Sequence, residues 1–210
     1  MIGIVDYGMG NLFSVRKALE RLNVPYQISE SPEELQTMDG LILPGVGSFK
    51  DAMELLNEKK LTNFLLDYTA KGKPLLGICL GMQLLFEESE ENGYSKGLSL
   101  LKGKIKRIPA EGMNETFKIP HMGWNQLKFQ QENPVVEKVE EGFVYFVHSY
   151  YATEMDKEEL IASTQYNVEI PAIVGKGNIL GMQFHPEKSG EVGMQLLNKY
   201  TKLVESGVFS

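Results

Sequence analysis

Pro74-Leu75-Leu76-Gly77-Ile78-Cys79-Leu80-Gly81-Met82-Gln83 carries the only cysteine of the chain and reads as an apolar strand turning sharply into a helix. Leu75 to Ile78 supplies the strand, Gly-x-Cys-x-Gly the turn, and Leu80, Leu84 and Leu85 the apolar helical pattern beyond it. A turn of this kind holds a nucleophile out from the end of a sheet. Glycines two residues to either side of Cys79 leave room where no Cβ can clash. A helix starting just after the cysteine would point its positive end at the sulfur and favour thiolate over thiol. A lone cysteine is otherwise a small buried hydrophobe. The coincidence of strand, paired glycines and helix start selects the nucleophile.

Upstream of this turn, strand and helix signals alternate, which predicts an α/β fold with a mostly parallel central sheet flanked by helices. Met1 to Val5, Tyr26 to Ile28 and Gly40 to Leu43 read as strands. Between them, Gly8-Met9-Gly10 turns into a helix with an apolar stripe at Leu12, Val15, Leu19 and Leu22. Ser31-Pro32-Glu33-Glu34 has capping-box spacing with proline at the first helical position. Ser48 is placed to cap a helix whose apolar face holds Phe49, Met53 and Leu56.

From about residue 95 the runs are short and β-like: Ile105 to Ile108, Gln126 to Phe129, Phe143 to His148 and Ile161 to Tyr166. Pro171 to Val174 and Ile179 to Phe184 flank a Gly175-Lys176-Gly177-Asn178 turn. They predict an antiparallel extension of the sheet. An amphipathic helix with Val192, Leu196, Leu197, Tyr200 and Leu203 closes the chain. The acidic run Glu87-Glu88-Ser89-Glu90-Glu91 reads as a solvated helix end. No repeat or linker divides the sequence, so residues 1–210 read as one domain.

Composition narrows the function. A net charge of −7 argues against a broad phosphate-binding surface, so nucleic acid is not an expected partner. No apolar stretch is long enough to span a bilayer, and the N-terminus lacks the pattern of a signal peptide. A single cysteine excludes an internal disulfide and suits a reducing compartment, so the cytoplasm is the expected location.

A cysteine nucleophile needs a base, and the base needs an orienting group. Three histidines are available, His121, His148 and His185. His185 follows a predicted strand in Phe184-His185-Pro186-Glu187, where Pro186 favours extended neighbours, so that Glu187 and the imidazole can project to one side. Neither metal nor cofactor is expected, because no ligand-spaced cluster accompanies these residues. Attack on a carbonyl also requires preset N–H donors for the oxyanion. Leu80 can give one and the Pro44-Gly45-Val46-Gly47 loop another. His148, ending an aromatic strand, reads as a satisfied, partly buried histidine, whereas His121, Trp124 and Asn125 read as an exposed loop.

Gly77-Ile78-Cys79-Leu80-Gly81-Met82-Gln83, with Phe184-His185-Pro186-Glu187 about a hundred residues later, resembles the class I, triad-type glutamine amidotransferases. Asp6-Tyr7-Gly8-Met9-Gly10-Asn11, Pro44-Gly45-Val46-Gly47, Pro120-His121-Met122-Gly123-Trp124-Asn125 and His148-Ser149-Tyr150-Tyr151 narrow the likeness to one branch. That branch is the glutaminase subunits of imidazole glycerol phosphate synthase, of histidine biosynthesis. The resemblance implies the flavodoxin-like fold of the class and a Cys79, His185, Glu187 triad that hydrolyses glutamine through a thioester. It further implies an oxyanion hole from Val46, Gly47 and Leu80, and glutamine held by Gly45, Gln83 and the backbone at Ser149 and Tyr150. Ammonia would pass to a separate (β/α)8 cyclase subunit in a heterodimer, which makes imidazole glycerol phosphate and an aminoimidazole carboxamide ribotide. Asn11, His121, Trp124 and Asn125 are the candidates for the partner-facing side.

Many class I relatives read Pro-Gly-Gly where this chain has Val46 as the third residue. A β-branched residue is stiffer than glycine. The loop is therefore expected to rest in a poorly active shape that the loaded partner switches. Glutaminases that feed other pathways, a different cysteine hydrolase and a catalytically silent binding subunit are the competing readings. The Pro-His-Met-Gly-Trp-Asn run argues against the first, and the complete set of triad residue types against the last.

Overall fold

The computed structural model describes residues 1–112 and 116–207. The chain begins β1 (Ile2–Val5), α1 (Leu12–Arg21), β2 (Tyr26–Ser29), α2 (Pro32–Leu35), β3 (Gly40–Gly45), α3 (Phe49–Glu58), α4 (Leu61–Ala70) and β4 (Leu75–Cys79). A single helical turn, α5 (Leu80–Gln83), follows at once. Then come β5 (Glu88–Ser89), β6 (Ser95–Lys96), β7 (Lys104–Arg107), β8 (His121–Gln126), β9 (Lys128–Phe129), β10 (Phe143–His148) and β11 (Tyr150–Thr153). β12 (Leu160–Tyr166), β13 (Val168–Lys176), β14 (Ile179–Met182) and α6 (Gly190–Ser206) complete the order.

Eight strands form one sheet in the order β2-β1-β3-β4-β14-β13-β12-β9. The first five run parallel, and β13, β12 and β9 continue antiparallel. Strand side chains alternate between the two faces. Ile2, Ile4, Ile42 and Ile78 meet α1 and α6 on one side, while Val5, Leu41, Leu43 and Leu75 meet α3 and α4 on the other. Leu196, Leu197 and Tyr200 of α6 are fully buried. Each such side chain contributes about 1.5–3 kcal/mol before conformational entropy is counted.

The caps at Ser31 and Ser48 follow the sequence, accepting from the backbone N–H groups of Glu34 and Asp51, and Asn11 caps α1 by accepting from that of Ser14. The capping box at Ser31 is only half formed, because the Glu34 carboxylate accepts from Ser29 and Gln27 while Ser29 Oγ takes the Ser31 N–H.

Three expectations are corrected. The antiparallel runs do not all extend the main sheet. β10 pairs with β8 as a separate ribbon, and β11-β7-β5-β6 is a third sheet. Both are buried on alternate residues only, so each lies with one face on a core. Val144 and Phe146 join the α6 side, whereas Ile105 and Ala152 join the α3 side. The acidic run 87–91 is not a helix end: Glu87, Glu90 and Glu91 accept from the backbone N–H groups of Gly103, Arg107 and Phe49, and Glu88 pairs with Lys104. The pattern at Leu84 and Leu85 does not continue the helix from Cys79. Their carbonyls accept from Leu98, Leu100 and Leu101, which ends α5 after one turn. Helix α4 has no start signal in the sequence, since Lys60 before it is left-handed and makes no side-chain cap.

Candidate active site

Cys79 stands at the C-terminal end of β4, between β3 and β14, with Gly45 directly opposite on β3. Its backbone is at φ 55°, ψ −111°, a conformation that costs a non-glycine residue on the order of 1–3 kcal/mol. The sharp turn is possible because its neighbours have no side chain. A Cβ on Gly81 would sit 1.8 Å from the Leu43 carbonyl oxygen, and one on Gly77 would sit 2.5 Å from that of Gly81. The elbow read from the sequence is therefore present. A single turn sums few peptide dipoles, so the expected helical field at the sulfur is small.

His185, on the segment after β14, lies close enough to the sulfur for the two groups to interact electrostatically. Its backbone is pinned twice to β10. His185 N–H donates to the Tyr145 carbonyl at 3.1 Å, and Ser189 Oγ donates to the His185 carbonyl while accepting from Tyr145 N–H. The His185 Nδ1 to Glu187 Oε1 distance is 2.8 Å, with both side chains almost wholly buried. His185 is extended, as a residue before proline should be, but Glu187 lies in a 3-10 turn over Pro186–Lys188. The turn, rather than extended geometry on both sides of Pro186, brings the carboxylate under the ring. Burial pushes the imidazole pKa down; hydrogen bonds and charge from Cys79 and Glu187 outweigh it and hold it up at about 9.

A second layer surrounds the sulfur. Cys79 Sγ is 3.9 Å from the Val147 carbonyl and 4.0 Å from Gln183 Nε2. Gln183 is fully buried and accepts at Oε1 from Gln83 Nε2, which also donates to the Tyr150 carbonyl at 2.9 Å. Gln83 thus acts on the Ser149–Tyr150 backbone through Tyr150. Val46 and Gly47 follow β3 beside the elbow, with Val46 43% exposed and Gly47 at φ +100°. Among the described residues no group of three His, Cys, Asp or Glu side chains is placed to hold a metal ion.

The strained cysteine, the buried imidazole and the carboxylate stand at one sheet end, in the chain order Cys79, His185, Glu187. The family model described as glutamine amidotransferase class-I matches residues 3–202. The chain belongs to the class-I glutamine amidotransferases. This amidotransferase is 60% identical over 208 residues to the imidazole glycerol phosphate synthase subunit HisH of Geobacillus sp. (strain WCH70), with 98% of each chain covered. It is 61% identical over 210 residues to the HisH subunit of Halalkalibacterium halodurans, covering 99% of this chain and 98% of that one. The HisH subunit of Bacillus subtilis (strain 168) is 58% identical over 204 residues, with 97% and 96% covered. Among solved structures, a glutamine amidotransferase superposes with a TM-score of 0.75 at 20% identity over 99% of both chains. The structure of PurLQS from Thermotoga maritima gives 0.72 at 20% identity, covering 97% and 98%. At that identity these two structures speak for the fold alone.

The residues expected on the outside of the amidotransferase divide. Trp124 is 56% exposed and packs edge-on against Tyr145, and Asn11 caps α1 in a half-buried position. His121 is buried, and His121 to Gln126 is strand β8 rather than a loop. Pairing with β10 fixes the alternation, turning His121 and Asn125 inward and Met122 and Trp124 outward. His148 is buried and hydrogen-bonded, as read. The sequence reading passed over Gln183. Its signal was a polar side chain at the end of an apolar strand, two residues before His185 and so on the same side of an extended chain.

Proposed function

We propose that the chain, acting as one glutaminase domain in the cytoplasm, hydrolyses L-glutamine to L-glutamate and ammonia as the glutaminase subunit of imidazole glycerol phosphate synthase. The observation that carries this reading is the convergence of Cys79, His185 and Glu187 at a strained elbow. High identity to HisH subunits over nearly the whole chain supports the pathway.

Cys79 sulfur attacks the side-chain amide carbon of glutamine, and the carbonyl π electrons move onto oxygen. Backbone N–H groups of Leu80 and of the Val46-Gly47 loop meet that oxyanion; one such donor is worth about 10²–10³ in rate. His185, held protonated near neutral pH, gives its proton to the departing ammonia as the C–N bond breaks and the γ-glutamyl thioester remains. Thioester formation ends the interaction with the Cys79 sulfur and so removes part of what held the imidazole pKa up. Neutral His185 then takes a proton from water, which attacks the thioester, and the C–S bond breaks to release glutamate. Glutamine lies against Gly45 and the Ser149–Tyr150 backbone, with Gln83 bracing Tyr150. Ammonia enters a (β/α)8 cyclase subunit, which completes imidazole glycerol phosphate and the carboxamide ribotide. Exposed Trp124, with Asn11 at the start of α1, faces that partner; Asn125, turned inward, is not part of that face.

Stiff Val46 holds the oxyanion loop in a poorly active shape until the loaded partner switches it. The direct test is glutamate release by the purified chain, alone and with the cyclase subunit carrying its nucleotide ligand. Stimulation of at least about tenfold, corresponding to about 1.4 kcal/mol in the barrier, is expected. Equal and high activity in both cases would remove the switch; no activity in either would remove the glutaminase reading.

Glu187→Gln keeps the shape but loses the charge that favours imidazolium. It is expected to lower kcat by about 10²–10⁴, by analogy with other triads, and to bring the His185 pKa below about 9. A folded pKa above the ordinary 6.5 gives stabilisation that is complete below about pH 6.5 and lost as pH rises through about 9. Denaturant midpoints from pH 6 to 10 should therefore fall less steeply for Glu187→Gln than for the wild type. Unchanged kcat together with parallel curves would show that Glu187 does not govern the imidazole.

A further inference from the structure

Behind the active site, His121 and His148 lie side by side on paired strands, each turned inward. His121 Nδ1 and His148 Nε2 are 3.0 Å apart, and His148 Nδ1 is 2.7 Å from the Tyr150 carbonyl. A carbonyl only accepts, so His148 carries its proton on Nδ1. Burial pushes the pKa of His148 down to about 3 and that of His121 down to about 4, so both rings are neutral at physiological pH. His148 Nε2 is then an acceptor, and His121 must carry its own proton on Nδ1. His121 Nε2 is left to accept from Asn125 Nδ2 at 3.5 Å, whose amide is oriented by a 3.0 Å bond to the Gln165 carbonyl. Donation therefore runs one way, from Asn125 on β8 through His121 and His148 to Tyr150.

The Tyr150 carbonyl is where this chain meets the site. It accepts from His148 and also from Gln83, whose amide leads through Gln183 to the Cys79 sulfur. Two donors on one carbonyl fix the peptide that the glutamine-binding reading assigns to the substrate. The outer end lies on β8, where Met122 and Trp124 are 65% and 56% exposed. Packing alone does not require imidazoles here. His121 is stacked between Phe146 and Tyr166 at ring distances of 4.8 and 4.0 Å, a slot that an apolar ring would also fill.

We propose that His121 and His148 form a positioning pair, tying strand β8 to the Ser149–Tyr150 backbone that holds glutamine. The pair does not touch the reacting atoms, and the proposal rests on the glutaminase reading above.

Two substitutions separate hydrogen bonding from packing. His121→Phe keeps the stack and removes the donor to His148; His121→Asn loses the stack and keeps an N–H near the position of Nδ1. In the assembled complex with the cyclase subunit, His121→Phe should raise KM for glutamine about fivefold to tenfold while kcat moves less than about twofold, the scale of one lost hydrogen bond. His121→Asn should melt at a lower temperature yet keep KM within about twofold of wild type. A wild-type KM in His121→Phe, or KM rising equally in both variants, overturns the proposal. A wild-type complex that fails to hydrolyse glutamine overturns the functional reading and the proposal with it. The third measurement needs no histidine variant: ¹⁵N spectra of histidine-labelled Cys79→Ala full chain, with and without glutamine. Both rings should be neutral Nδ1–H tautomers, with the His148 signals moving on glutamine addition; Nε2–H tautomers or an unmoved His148 would overturn the pair.

Discussion

Cys79→Ala is expected to lower glutamine hydrolysis by at least about 10⁴-fold, the scale seen when a nucleophile is removed from a triad. The same variant, assembled with the cyclase subunit, should use added ammonia at the wild-type rate. The reason is spatial. In the proposed mechanism the Cys79 sulfur forms the thioester, and the proton transfers of His185, held by Glu187, serve only steps that begin with its attack. Ring closure lies in the partner, which needs ammonia and not the cysteine. The substitution removes one sulfur from a 7% exposed position with little change in volume, so the fold should persist. Parallel assays with glutamine and with an ammonium salt decide the matter. Loss of both activities would mean that this subunit does more than supply ammonia.

Gly81→Ala should have the largest effect on the fold. The added methyl would lie 1.8 Å from the Leu43 carbonyl oxygen, a backbone atom of β3 that is held in the sheet by its neighbours. Neither side can yield cheaply, because β3 sits between β1 and β4 in the parallel core. Overpacking of a core with side chains costs about 1–3 kcal/mol. A clash with backbone on both sides exceeds that, so we expect about 4 kcal/mol or more, within the range where marginal domains unfold. Urea denaturation with intrinsic fluorescence reads the result. A midpoint within error of wild type would show that the elbow can relax away from β3, and the close approach would not be what demands glycine here.

Local signals were strongest where one residue type answers one backbone demand. Gly77 and Gly81 flank a cysteine whose turn leaves no room for a Cβ, so Gly-x-Cys-x-Gly announced the elbow. Ser31 and Ser48 mark helix starts because their side chains satisfy a nearby N–H, an interaction within three residues. The His185–Glu187 pairing was legible for the same reason, the two being two residues apart. Helix α4 was not legible, because Lys60 offers no cap and the helix is held by packing Leu61, Leu65 and Tyr68 on the sheet.

By itself the sequence determined the alternation of strands and helices, the elbow at Cys79 and the kinds of residue available for a thiol-based acyl transfer. Each of these rests on contacts between near neighbours or on a steric limit of a single residue. Only the tertiary structure decided that helix α5 stops after one turn, since the carbonyls beyond it are taken by Leu98, Leu100 and Leu101. It also decided that His121 turns inward while Trp124 stays out, through the pairing of β8 with β10. Gln83 and Gln183, a hundred residues apart, meet beside the sulfur for the same physical reason: β4 and β14 are neighbours in the sheet, and sequence spacing carries no information about which strands pair.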